Sequence, residues 1–192
     1  MGDIILENGD RNGNGIMEFS TENSEGRKSY NGQWRNDVVE GYGRMEWREK
    51  NPYNVGSYEG YFENDMEHGY GKCIWQTGDT YHGNWINGKN TGNGTFLWAN
   101  GDSYSGEVYM GKLTGDGNLT FSDGTLYEGK LNNGSFNGIG KITWKTGDVY
   151  EGDFVNGDRT GYGIFNYSDG TRYEGGLTNG YFNGTGLIKW VD

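Results

Sequence analysis

A Gly-x-Gly pair returns along this chain on a fixed beat, its second glycine falling at Gly15, Gly43, Gly71, Gly94, Gly117, Gly140, Gly163 and Gly186. The intervals are 28, 28 and then five of 23 residues. A period in the range of roughly 20–50 residues marks a repeat array. Each unit of such an array is a small supersecondary element that cannot bury its apolar face alone, so its neighbours must stack on it.

Between the beats, the pattern alternates. A tyrosine opens each unit at Tyr30, Tyr58, Tyr81, Tyr104, Tyr127, Tyr150 and Tyr173, and a glycine follows two residues later, from Gly32 to Gly175. Two residues further on stands a large apolar side chain: Trp34, Phe62, Trp85, Val108, Leu131, Phe154 or Leu177. The positions between are mostly polar, such as Glu59, His82, Glu128 and Glu151. Period-2 alternation is the mark of a half-buried strand. A turn follows, written Asn-Gly at 87–88, 133–134, 156–157 and 179–180, which favours the positive φ angles of a tight hairpin. Asn36-Asp37 and Asn64-Asp65 are weaker versions of it, and Met110-Gly111 keeps only the glycine.

The second strand begins at the Gly-x-Gly. Two residues beyond its second glycine stand Met17, Met45, Cys73, Phe96, Leu119, Ile142, Phe165 and Ile188; four beyond stand Phe19, Trp47, Trp75, Trp98, Phe121, Trp144, Tyr167 and Trp190. Each unit is therefore a β-hairpin. The predicted fold is all-β: a repeat array of about eight hairpins in one extended, curved antiparallel sheet, an open trough. Glycine, at 38 of 192 residues, lets such a sheet bend and leaves floor space on which a ring can lie flat. Residues 1–29 are predicted to be an atypical capping hairpin, with Gly2 and Ile4 where later units carry Tyr and Gly. Residues 30–192 then hold seven tandem repeats in a single continuous domain. The two longer intervals place their extra residues after Phe19 and after Trp47, so two long loops are predicted side by side near the N-terminus.

Composition narrows the function. The net charge of −11 repels phosphate backbones and anionic bilayers, so nucleic-acid binding is not expected. A single cysteine excludes an intrachain disulfide framework. No signal peptide or transmembrane run is legible, and the expected location is cytoplasmic, with cytoskeletal or membrane association as variants.

The pattern Tyr150-Glu151-Gly152-Asp153-Phe154-Val155-Asn156-Gly157, repeated in register, resembles the MORN (membrane occupation and recognition nexus) repeat over about residues 5–192. The resemblance implies a trough-like sheet of stacked hairpins. It also implies functions ranging from phosphoinositide and membrane association to dimerisation and cytoskeletal scaffolding, with an aromatic groove gripping a partner's helix in several relatives. Val108, Leu131 and Leu177 stand where the family prefers a ring.

No enzyme, cofactor or metal site is expected. His82 is read as a surface residue, His68 as a loop residue and Cys73 as a small core residue. The glycine pairs lack the lysine and helix that cradle a phosphate. Asp79, Asp102, Asp123, Asp148 and Asp169 recur once per unit, but one acid per turn is too few oxygens for calcium and suits a turn instead. The aromatic face remains. A groove around Trp75, Trp85, Trp98, Tyr104 and Trp144 is expected to bind a helical or extended segment of a protein partner. The terminal edge, with Tyr181, Phe182 and Trp190, is a candidate for homodimeric self-association. The alternative is a peripheral membrane or phosphoinositide binder, which the acidic charge disfavours.

Overall fold

In the computed structural model, residues 5–7 and 10–191 are described, with side chains described from residue 10 onward. The positions of Gly2 and Ile4 and the Asn8-Gly9 turn of the expected cap lie outside the described residues. The chain divides into two units, residues 1–99 and 100–192. The first holds β1 (Ile5–Glu7), β2 (Asp10–Glu18), β3 (Arg27–Arg35), β4 (Val38–Trp47), β5 (Val55–Glu63), β6 (Met66–Trp75), β7 (Thr80–Ile86) and β8 (Lys89–Leu97). The second holds β9 (Ser103–Tyr109), β10 (Lys112–Thr120), β11 (Leu126–Asn132), β12 (Ser135–Thr143), β13 (Val149–Val155), β14 (Asp158–Asn166), β15 (Arg172–Thr178) and β16 (Tyr181–Lys189). Within each unit, strands pair antiparallel with their sequence neighbours. This is the predicted all-β array of hairpins, and among the described residues there is no helix.

Register is set by glycine. In the first unit Gly15 faces Gly32, Gly32 faces Gly43, Gly43 faces Gly60, and the row continues through Gly71 and Gly83 to Gly94. In the second unit the same row runs from Gly106 and Gly117 to Gly175 and Gly186. The tyrosine of each hairpin lies over one such pair. Tyr150 covers Gly152 and Gly163, and a Cβ on either glycine would run into its ring. The two glycines of each Gly-x-Gly therefore have different reasons. The first, as at Gly161, takes a positive φ of 66°; the second, as at Gly163, lies under the ring.

The tyrosine hydroxyl closes the arrangement. The hairpin ladder slips just after the glycine, between Gly32 and Trp34 for instance, and leaves Gln33 bulged. Tyr30 donates its hydroxyl hydrogen to the Gln33 carbonyl at 3.0 Å. The same bond, three residues forward, is made by Tyr58, Tyr81, Tyr104, Tyr127, Tyr150 and Tyr173. The tyrosine column is fully or nearly fully buried, and that burial pushes the Tyr30 and Tyr150 hydroxyls up to about 12. The apolar residue four positions on packs edge-to-face against it, with Trp34 5.1 Å from Tyr30 and Phe154 5.3 Å from Tyr150.

The turns are as read. Asn87, Asn133, Asn156 and Asn179 all have φ near +50°, as do Asn36 and Asn64 in the weaker sequences. Met110 adopts φ 49° as well, so the surrounding ladder overrides its side-chain preference there. The two long loops do lie together: Arg48 N donates to Gly26 O at 2.8 Å, and Arg48 reaches Phe19 O at 2.7 Å.

Candidate binding face

One face of each unit carries the tyrosine column at its middle and, toward the strand ends, the aromatic residues that follow the second glycine by four. These outer rings are half-buried, because nothing covers them but one another. In the first unit, Phe96 is stacked between Trp75 and Trp98, at 6.2 Å and 5.5 Å with interplanar angles of 18° and 6°. In the second, Phe165 is stacked between Trp144 and Tyr167, at 6.1 Å and 5.6 Å with angles of 7° and 12°. Arg159 lays its guanidinium against this row, 5.0 Å from the Phe165 centroid and 5.5 Å from that of Trp144.

The residues expected to line a groove therefore separate by depth. Trp75, Trp98 and Trp144 offer part of their rings to solvent. Trp85 is only 6% exposed, with its indole N–H donating to Gly71 O at 3.3 Å, and Tyr104 is 1% exposed. Those two form the floor. Trp75, Trp85 and Trp98 belong to the first unit, Tyr104 and Trp144 to the second. At the terminal edge, all of β16 is exposed, Tyr181 at 79%, as is Trp190 just beyond it at 69%, while Phe182 stacks on Tyr173 at 3.7 Å.

Clefts open on this face in each unit, and two of them correspond. The first, of about 440 Å³, is lined among others by Trp47, Trp75, Trp85, Cys73, Asp65 and Glu67. The second, of about 490 Å³, is lined by Trp144, Arg159, Phe165, Tyr167, Tyr181 and Phe182 among others. Glu25 and Tyr53, from the two long loops, also line the first cleft. Loop insertion was visible in the interval lengths, but its contribution to a cleft was not.

The titratable groups singled out from sequence sit as follows. Cys73 is buried, and burial pushes its thiol well up, which keeps it protonated. His82 is exposed, with its ring tilted against Tyr70 at 4.7 Å. His68, read as a loop residue, stands instead in β6 opposite Tyr61, because the turn is confined to Asn64-Asp65, and it lies 3.1 Å from Glu63. The recurrent aspartates clasp the next hairpin, which sequence reasoning missed. Asp79 Oδ1 accepts from Ala99 N at 2.9 Å, Asp102 Oδ1 from Ser122 N and Asp148 Oδ1 from Ser168 N, both at 2.7 Å. These bonds to backbone N–H hold the Asp102 and Asp148 carboxyls below the usual range. The once-per-unit spacing was the available signal: a side chain that recurs on the beat can bridge one beat to the next. Asp123 and Asp169 instead close their own turns on Thr125 and Thr171.

The MORN repeat family model matches residues 30–51, 58–80, 81–103, 104–126, 127–149, 150–172 and 173–192. Among solved structures, the chain is similar to the SAS-4 (dCPAP) TCP domain of Drosophila melanogaster, in complex with a proline-rich motif of Ana2 (dSTIL). The identity is 15%, over 79% of this chain and 85% of that one, with a TM-score of 0.45. It is also similar to the wild-type TCP10 domain of Danio rerio CPAP in complex with a peptide of Danio rerio STIL. There the identity is 13%, over 72% and 81% of the two chains, with a TM-score of 0.27. No curated protein matches the sequence.

Proposed function

Because the chain belongs to the MORN repeat family, an array of hairpins, we propose that it is a non-enzymatic interaction module that holds a segment of a partner protein on the face with the ring rows. The observation that supports this reading is the pair of stacked, half-buried ring rows, Trp75–Phe96–Trp98 and Trp144–Phe165–Tyr167. Rings held in place by stacking lose little entropy on binding and present flat apolar area, the character of an interface hot spot. Trp75, Trp98 and Trp144 are the contacts in this reading, with Trp85 and Tyr104 supporting them from beneath. A helical or an extended segment would suit the rows.

A second reading rests on β16. Its exposed outer edge, which begins at Tyr181 and is followed by Trp190, would accept a strand from a second copy of the chain. The lipid reading finds less support, because many of the arginines are committed to acids. Arg11 pairs with Asp37 at 2.6 Å, Arg27 with Glu25 at 2.6 Å and Arg44 with Glu46 at 3.2 Å. An anionic surface needs basic groups free to face it.

Selection from a displayed library of random 12-residue peptides, followed by titration of an enriched peptide, tests the first reading. Trp98→Ala or Trp144→Ala is expected to weaken that peptide about tenfold or more. Equal affinity for the wild type and both variants would overturn it, as would flotation of the protein with phosphoinositide vesicles that the peptide fails to displace.

A further inference from the structure

The two clefts are the same place in two copies of the repeat. Counted from the second glycine of the pair, Glu67 stands where Arg159 stands, Cys73 where Phe165 does, Trp75 where Tyr167 does and Gly88 where Gly180 does; Trp47 and Trp144 correspond one unit earlier. In the second unit a ring and a cation of the chain itself line this place, which is a cleft of about 490 Å³. Phe165 occupies the slot between two flat rings, and the Arg159 guanidinium rests against them. Arg11, at the same repeat position, likewise lies over a ring, 4.1 Å from the Trp34 centroid.

The first unit inverts both features. Cys73 replaces the central ring, and Trp47 and Trp75 both line the 440 Å³ cleft, where among the described residues Trp47 stacks on no ring. The cation is replaced by the carboxyl of Glu67. The acids here are Glu25, Asp65 and Glu67, against Arg27. Glu25 holds Arg27 at 2.6 Å, and among the described residues no cation comes within ion-pair distance of Asp65 or Glu67. Val39 N donates to Asp65 Oδ1 at 2.9 Å.

From this geometry we propose that the cleft takes the guanidinium of an arginine carried by the partner segment, seated flat between Trp47 and Trp75 with its N–H donors on Glu67. The proposal rests on the protein-segment reading above and names its anchor. The flat indole faces of Trp47 and Trp75 suit a planar guanidinium over an ammonium, and a carboxylate accepts the guanidinium fork in a paired fashion. Burial raises the Glu67 carboxyl, outweighing the pull of Arg27, so its charge is poorly solvated without a ligand. A group raised in this way supports folding at low pH and withdraws that support as pH rises through its folded value. The chain thus keeps at neutral pH a carboxyl that an apolar or amide side chain would better, which is the usual signature of a binding group.

The test is titration of the 15N-labelled full chain with acetyl-arginine-methylamide, following the tryptophan indole N–H signals. The citrulline analogue, neutral but of the same shape, is run beside it. The signals of Trp47 and Trp75 are expected to move saturably with the arginine probe, those of Trp144 and Trp190 to stay, and the citrulline probe to bind about tenfold more weakly or not at all. Glu67→Gln, which removes a desolvated charge and so preserves folding, is expected to abolish the shifts. Cys73→Phe, which restores the ring found at Phe96 and Phe165, is expected to put that ring where the guanidinium would sit, with the same result. Equal shifts with citrulline, shifts spread over all the indoles, or full binding by either variant would overturn the proposal. A chain that ignores the arginine probe yet still binds its selected peptide through Trp98 or Trp144 sinks this anchor alone. Loss of both would sink the underlying reading as well.

Discussion

Gly152→Ala is expected to destabilise the second unit by about 3 kcal/mol in urea unfolding, near the top of the range for overpacking a core. The added Cβ would lie 2.6 Å from the Cα of Gly163 and 2.6 Å from the carbonyl oxygen of Tyr162, both backbone atoms of the facing strand, with the Tyr150 ring on its other side. None of these has a rotamer through which to escape. Relief requires the strands to part or Tyr150 to leave its seat, and either breaks its bond to the Asp153 carbonyl. Gly157→Ala is the control. Gly157 has φ +94° and nothing within 4 Å of a built Cβ, so its cost is conformational alone, about 1 kcal/mol. Equal costs at the two sites would show that these glycines serve the backbone only and that no ring seat exists.

Tyr150→Ala should cost about 4 kcal/mol, and Tyr150→Phe only about 1 kcal/mol. The side chain is fully buried, packed against Phe154 at 5.3 Å and Phe165 at 4.8 Å, so truncation opens a cavity under rings that have no second layer to collapse onto them. The phenylalanine variant keeps the ring over Gly152 and Gly163 and loses one hydrogen bond to the bulged carbonyl. Comparable losses for the two variants in urea unfolding would mean that the bond, and not the ring, fixes the hairpin.

The hairpins, their register and most of their turns could be read from the sequence because each is written by local chemistry. Alternation places Tyr150, Gly152 and Phe154 on one face, and Asn156-Gly157 can only turn there. The beat repeats that sentence seven times, so a weak copy such as Asn64-Asp65 is interpreted by its neighbours. Met110 marks the limit of this logic, since its positive φ is imposed by the ladder around it. What stayed illegible depends on contacts between units. Trp75 and Trp85 stand in different columns of the repeat, and only the packing shows that the column four residues after the tyrosine is floor while the one four residues after the second glycine is half-exposed. The aspartates divide by position: Asp148, two residues before its tyrosine, reaches the following hairpin, while Asp169, four before its own, closes its turn, and only the structure shows what each position bonds.

The candidate site shows the division most plainly. An aromatic face could be inferred from the columns, but the cleft at Glu67 takes its character from Glu67 and Cys73, standing where Arg159 and Phe165 do in the other copy, and from the long loops that bring Glu25 and Tyr53 into its lining. Such a site is written in departures from the repeat, which an alignment of units tends to treat as noise.

Both faces of the chain carry aromatic residues, and this permits a direct test. Trp75, Trp98 and Trp144 lie on the face with the ring rows, while Tyr42, Tyr61, Tyr70 and Tyr162 are exposed on the opposite one, where strand alternation sends them. Hydroxyl-radical footprinting of the full chain, with and without its selected peptide, reads both at once. The account predicts that the peptide protects the three tryptophans and leaves the four tyrosines as reactive as before. Protection of the tyrosines with the tryptophans unchanged would contradict it, and would move the binding surface to the other side of the sheet.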